Sequence, residues 1–346
     1  MRPFAFQRSD SASAAVQAAR ARPGASDQRA DGATAYLAGG TSLIDLMKLD
    51  VMRPDTIVDI NALQGRHGGI EAGPLGLRIG ALARMSDVAD NAAVRRDYPA
   101  VAESLQLAAS AQLRNMATMA GNLLQRTRCS YFRDTSYSQC NKREPGSGCA
   151  AIGGINRIHA VLGTSESCIA SYPGDFAQVM IALDGQVELL GPSGARTLPF
   201  SQLHLRRADT PHIETSLQPG ELITALVIPA GPHTRRSTYV KVRDRQSYAF
   251  AIASAAVALD LGADGTVRDA RIGLGGIHYA PYRAVAAEAA LRGKRLDEAS
   301  ASVAAQAALQ GAVTHGHNDY KPELARRTLV RALLQARDLP LANGRA

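Results

Sequence analysis

Apolar residues fall along this chain in short runs whose spacing changes from strand-like to helical and back. Near the N-terminus, Tyr36-Leu37 closes a strand-like run, Gly39-Gly40 turns the chain, and Leu43, Leu46 and Met47 recur at helical spacing. Thr56-Ile57-Val58-Asp59-Ile60 predicts another strand, so residues 1–60 predict a small β/α unit. Leu77-Arg78-Ile79-Gly80-Ala81 starts a new element and Ser86-Asp87 reads as a helix cap. Tyr98 to Ser110 has the pattern of an amphipathic helix, and Asp175 to Leu183 predicts another. Val187 to Leu190 and Arg196 to Leu198, joined by Gly191-Pro192-Ser193-Gly194, predict a hairpin.

Pro229-Ala230-Gly231-Pro232 is the best boundary candidate. Beyond it, Tyr239 to Val242, Ile252 to Leu261 and Ala270 to Leu274 predict an antiparallel sheet, with Gly262-Ala263-Asp264-Gly265 as one of its turns. Helices follow at Arg283 to Leu291 and Pro322 to Ala336. No internal repeat is visible, and residues 22–33 read as a flexible insertion.

Composition narrows the class. The chain has 346 residues, 46% hydrophobic and 20% charged, which predicts a soluble protein of more than one domain. No apolar run approaches the roughly 18 residues of a membrane span. The Ala-rich stretch from Ala12 to Ala21 carries Gln17 and Arg20, lacks a signal peptide's apolar core and has no twin arginine, so no export address is expected in this chain. The net charge of +8 is dispersed, Trp is absent, and no aromatic-plus-basic module points to nucleic acid. Hydrolase chemistry has no Gly-x-Ser-x-Gly elbow or paired carboxylates to stand on.

The candidate chemistry lies elsewhere. All four cysteines, Cys129, Cys140, Cys149 and Cys168, fall in one Gly-, Arg- and Asn-rich window. A disulfide framework scatters its cysteines through a small secreted fold. The spacing x10, x8, x18 contains no close cysteine knuckle of the structural-zinc kind. Isolated thiolates on a long segment suit a 4Fe–4S cube, with zinc or free thiols as the alternatives. Arg126, Arg128, Lys142 and Arg143 crowd these residues and either stabilise a reduced cluster or merely solvate a loop.

Two glycine signatures accompany the cysteines. Ala38-Gly39-Gly40-Thr41-Ser42 lies between a predicted strand and helix, where backbone N–H groups can cradle a phosphate, although the same dipeptide also makes ordinary turns. Arg114 to Asn122 combines small residues with the Thr118 hydroxyl, and Gly121-Asn122 could equally cap a helix.

Taken in order, Leu37-Ala38-Gly39-Gly40-Thr41-Ser42-Leu43, Arg114-Asn115, Thr118-x-x-Gly121-Asn122-Leu123, Pro173-Gly174-Asp175, Gly220-Glu221-Leu222-Ile223, Tyr239-x-Lys241-x-Arg243 and Gly273-Leu274-Gly275-Gly276 resemble the FAD-binding subunit of the xanthine dehydrogenase/aldehyde oxidase family of molybdenum hydroxylases. Gln125 to Cys129, Cys140 to Arg143 and Pro145 to Cys149 are similar to the flavin subunits of bacterial periplasmic aldehyde oxidoreductases within that family. Ala120 departs from it, standing where most members have glycine.

The resemblance implies an α+β fold: a PCMH-type FAD-binding region of two lobes, 1–62 and 63–230, with an iron–sulfur insertion at about 125–172. A C-terminal domain of antiparallel sheet plus helices, CO dehydrogenase flavoprotein C-terminal-like, would follow at 231–346. It implies FAD held by Ala35, Tyr36, Leu37, Ala38, Gly39, Gly40, Thr41, Ser42 and Leu43, with Thr118, Gly121 and Asn122 completing the phosphate and ribityl contacts. Asp175 would take a hydroxyl of the cofactor, Ile223 would pack on it, and Lys241 would neutralise its charge. The four cysteines would hold a 4Fe–4S cluster. The implied activity is electron transfer in an aldehyde oxidoreductase, with 2Fe–2S clusters and molybdenum cofactor on partner subunits and an external acceptor beyond. A partner's twin-arginine signal could carry the complex to the periplasm. The equivalent subunit of a xanthine dehydrogenase or hydroxybenzoyl-CoA reductase, and a zinc-binding adaptor protein, are the alternatives.

Overall fold

A computed structural model describes residues 1–20, 34–206 and 208–340; residues 22–33, read above as an insertion, lie outside the described residues. Three sheets organise the chain. In the first, β1 (Ala5–Arg8), β2 (Thr34–Leu37) and β3 (Thr56–Asp59) run parallel in the order β1-β3-β2, which leaves β2 as an edge strand. The exposed β1 carries no amphipathic signal and was not expected from the sequence.

The second sheet is antiparallel, in the order β4 (Ile70–Gly73), β5 (Gly76–Gly80), β8 (Leu222–Pro229), β6 (Gln186–Gly191), β7 (Gly194–Pro199). The expected hairpin is β6–β7. The central strand β8 was seen in the sequence only as a motif, because a strand buried on both faces does not alternate. The third sheet, β9 (Ser237–Val242), β10 (Ala253–Leu261), β11 (Val267–Gly275) and β12 (Tyr282–Arg283), is the expected antiparallel C-terminal sheet.

Local chemistry explains where expected helices change. Tyr98 to Ser110 is not one helix: Pro99–Gln106 ends, Ala109 adopts φ +48°, and Ser110 turns extended to accept a 3.3 Å bond from the Leu113 N–H at the start of Ala111–Met116. Ser86 and Asp87 lie inside Met85–Asp90 rather than capping it. The helix expected from Arg283 begins at Val285, because Arg283 belongs to β12. Glu298–Ala308 went unnoticed in the sequence, although Asp297 and Ser300 make a capping box at its start.

The helix Phe176–Ala182 is buried at every position. It shares one core with Leu77, Ile79 and Leu226 of the second sheet and with Tyr239, Ala256 and Ala258 of the third. A separate cluster packs the other face of the third sheet under the C-terminal helices. The cysteine segment packs against the chain that follows β11, with the Val161 N–H donating to the Ile277 carbonyl and the Tyr172 N–H to the His278 carbonyl.

Candidate functional site

The turn after β2 opens onto a cleft of about 450 Å³. Leu43–Lys48 starts immediately after it, and none of the N–H groups of residues 39–43 donates to another described residue. Gly40 has φ +71°, a conformation that suits glycine. Gly39 is glycine for a different reason: a Cβ there would lie 1.9 Å from the Met116 carbonyl oxygen. The two glycine signatures therefore touch each other. The second is pinned in turn, as Met85 donates to Ala117, Met119 to Ala83, and Arg84 to the Met116 oxygen.

Of the residues expected to hold the cofactor, Ala35, Tyr36, Ala38, Gly39, Gly40, Thr41, Ser42, Leu43, Thr118 and Gly121 line the cleft. Leu37 ends β2 without lining it, and Asn122 sits behind Gly121 with its Oδ1 buried and unpartnered among the described residues. Asp175, Ile223 and Lys241 lie apart from the cleft lining. Ile223 is core in β8. The Lys241 ammonium donates to Asp175 at 2.8 Å and to the Leu107 carbonyl at 3.0 Å, while the Tyr239 hydroxyl donates to Asp175 at 2.6 Å. The resemblance implied that both serve the cofactor; in this structure the two buried, opposite charges pair with each other.

The opposite wall was missed, because no motif marks it. It comes from the irregular segment 204–220 with Tyr172 and Tyr279, and the Tyr36 hydroxyl donates to the Gly220 carbonyl at 2.9 Å to fasten it to β2. Burial lowers His204 to about 4, so it is a neutral imidazole there. Its Nε2 and the Arg126 Nη2 are buried without partners among the described residues. Glu214 accepts from Arg126 and, at 2.6 Å, from Lys142. Burial alone would raise this carboxyl, but the two cations outweigh it and hold it at about 2.

The cysteine segment forms the back of this wall. Cys129, Cys140 and Cys168 are buried in one cluster and Cys149 packs against it, all four as free thiols. Cys140 and Cys149 face each other across an isolated bridge, closed by the Asn141 side chain accepting from Gly146 and Gly148 at 3.0 and 2.9 Å. A hydrogen bond from Cys168 lowers the Cys149 thiol to about 6 and raises that of Cys168, while burial pushes Cys129 to about 11. Among the described residues no three His, Cys, Asp or Glu side chains are grouped to hold one metal ion. Four cysteine thiols in one segment are a donor set of the chemical type that iron–sulfur clusters use.

The basic residues expected to crowd the thiols each have another partner. Arg128 and Arg133 hold Asp45, which lies on the helix after the glycine turn, at 3.4 and 2.7 Å. Arg143 donates to the carbonyls of Tyr131, Phe132 and Tyr137. Arg126 and Lys142 bring charge inward to Glu214, with side chains 13% and 4% exposed.

Comparison with known proteins places these features. Residues 2–231 match the family described as the FAD binding domain in molybdopterin dehydrogenase, and residues 238–336 the CO dehydrogenase flavoprotein C-terminal domain. The chain is 43% identical to the aldehyde oxidoreductase FAD-binding subunit PaoB of Escherichia coli (strain K12), over 97% of this chain and 99% of that one. It is 27% identical to the glyceraldehyde dehydrogenase medium chain of Sulfolobus acidocaldarius, over 77% of this chain and 75% of the relative. Among solved structures, a carbon monoxide dehydrogenase from Hydrogenophaga pseudoflava superposes with a TM-score of 0.71 at 26% identity, covering 97% of this chain and 98% of that one.

Proposed function

Since the chain belongs to the FAD-binding subunits of the molybdenum hydroxylases, we propose that it is the electron-transfer flavoprotein of an aldehyde oxidoreductase. The observation that carries this reading is the cleft with a row of N–H groups at residues 39–43 that have no partner among the described residues, next to a segment that gathers four thiols. Those N–H groups would take the FAD pyrophosphate, with Ala35, Tyr36, Ala38 and Leu43 against the dinucleotide and Thr118, Gly121 and Asn122 completing the contacts. Cys129, Cys140, Cys149 and Cys168 would hold a 4Fe–4S cluster. A zinc adaptor is the alternative from another class, and the cysteines lack the close knuckle spacing of structural zinc sites.

FAD supplies the chemistry of accepting two electrons one at a time and releasing them to another acceptor. The aldehyde would be oxidised at molybdenum cofactor on a large subunit, with electrons reaching this chain through a 2Fe–2S subunit. The protein's own part is to hold the flavin in a cleft partly closed to water by Tyr36 and the 204–220 wall. Residues 1–62, 63–230 and 231–346 would be the working domains, with the break between the matched ranges at 231 and 238 supporting the last boundary. No helix among the described residues is long and apolar enough to cross a membrane, and export would be directed by a partner subunit.

Anaerobic absorption of the purified complex, with iron, acid-labile sulfide and flavin assayed on this chain, tests the reading. One FAD and four irons per chain are expected. Flavin without iron sinks the cluster, and zinc without colour sinks the electron-transfer role.

A further inference from the structure

Resting on that reading of a flavin in the cleft and a cluster on the cysteines, we propose that Lys142 and Glu214 form one positioning pair that sets the reduction potentials of both centres together. Lys142 follows Cys140 by two residues in the turn that Cys149 closes. Its ammonium donates to Glu214 at 2.6 Å, to the Tyr279 hydroxyl at 2.7 Å and to the Pro211 carbonyl at 3.1 Å, so it has left the thiols for the back of the cleft wall. Glu214, Tyr279 and Arg126 line the cleft itself. One buried pair thus has one end in the cysteine turn and the other in the flavin site.

Charges so placed are weakly screened, and their field reaches both sides. Arg126, Lys142 and Glu214 together carry one net positive charge, which favours the more negative, reduced form of either centre. Removing the Lys142 charge leaves the trio neutral. Removing the Glu214 charge leaves it doubly positive. The two halves of the pair must therefore shift the potentials in opposite directions, whereas a purely structural tie has no sign to reverse.

The test is an anaerobic redox titration of the assembled complex, following the flavin by absorbance and the cluster by electron paramagnetic resonance. Lys142→Met should lower both midpoints and Glu214→Gln should raise both, with FAD and iron content unchanged. Lys142→Gln, which keeps a hydrogen-bond donor, takes the place of the methionine variant if that one fails to assemble. Midpoints that stay put, or that move the same way in both variants, overturn the proposal. If the parent complex holds flavin but no iron, the cluster reading fails, and the flavin midpoint alone still decides the pair.

Discussion

Gly39→Ala is the sharpest test of how the proposed flavin cleft is built. The added Cβ would meet the Met116 carbonyl oxygen at 1.9 Å, where real Cβ atoms keep 3.0 Å or more, so the two loops must part by about 1 Å. Met116 has little freedom to retreat, because Arg84 donates to that same oxygen and Ala117 and Met119 are bonded to the chain after β5. Overpacking of this kind costs about 1–3 kcal/mol. If the displacement falls on the turn that holds the cofactor, FAD affinity drops about 5- to 150-fold. Gly40→Ala gives a graded comparison: its φ of +71° costs about 1–2 kcal/mol, but its Cβ meets only the Ile44 and Leu37 side chains at 3.2 Å, which can swing away. The assay is flavin fluorescence released on serial dilution, with thermal unfolding measured in parallel. A Gly39→Ala protein with the parent's FAD affinity and melting temperature would refute the claim that this contact sets the loop.

Lys241→Met should destabilise the protein by about 3–5 kcal/mol in urea unfolding, because Asp175 is left charged in the core; FAD loss at undiminished stability would return Lys241 to the cofactor. Glu214 contributes stability that depends on pH. Its folded value of about 2 lies below the ordinary 4.5, so its contribution is present above pH 4.5 and is lost as pH falls toward 2. The stability difference between the parent and Glu214→Gln should shrink across that window, and a constant gap would show that the carboxylate's charge is not what matters. Cys140→Ser should abolish iron binding, and full iron content in that variant would remove Cys140 from the ligand set.

Part of the cleft was legible because its backbone demands particular residues. Gly39 stands where a Cβ would meet the Met116 carbonyl oxygen at 1.9 Å and Gly40 where φ is +71°, so this turn is marked by glycine in the sequence. The opposite wall was not legible. Glu214, His204 and Tyr279 are ordinary residues that become a site only when an irregular segment is folded back across β2, and nothing local encodes that path. Asp175 and Lys241 both stand in recognisable motifs, yet the motif does not reveal that the Lys241 ammonium donates to the Asp175 carboxylate. In the fold, a strand that alternates, such as β6, or one announced by a turn, such as β7, was visible. The helix break at Ala109 was not, because an alanine at φ +48° has no sequence signature.

The fully buried helix Phe176–Ala182 has a consequence for how the chain is made. On the ribosome its second partner, the sheet holding Tyr239, Ala256 and Ala258, emerges only after the whole flavin-binding part. Until then, one flank of the helix and its neighbours stays open, a greasy face waiting for the C-terminus. A nascent chain stalled near Pro229–Pro232 would be sticky rather than half-finished and idle, and the cofactor cleft would mature late in synthesis. Chaperone dependence should therefore peak between translation of β8 and of β11, and a fragment ending at residue 231 should aggregate instead of folding as a free-standing flavoprotein.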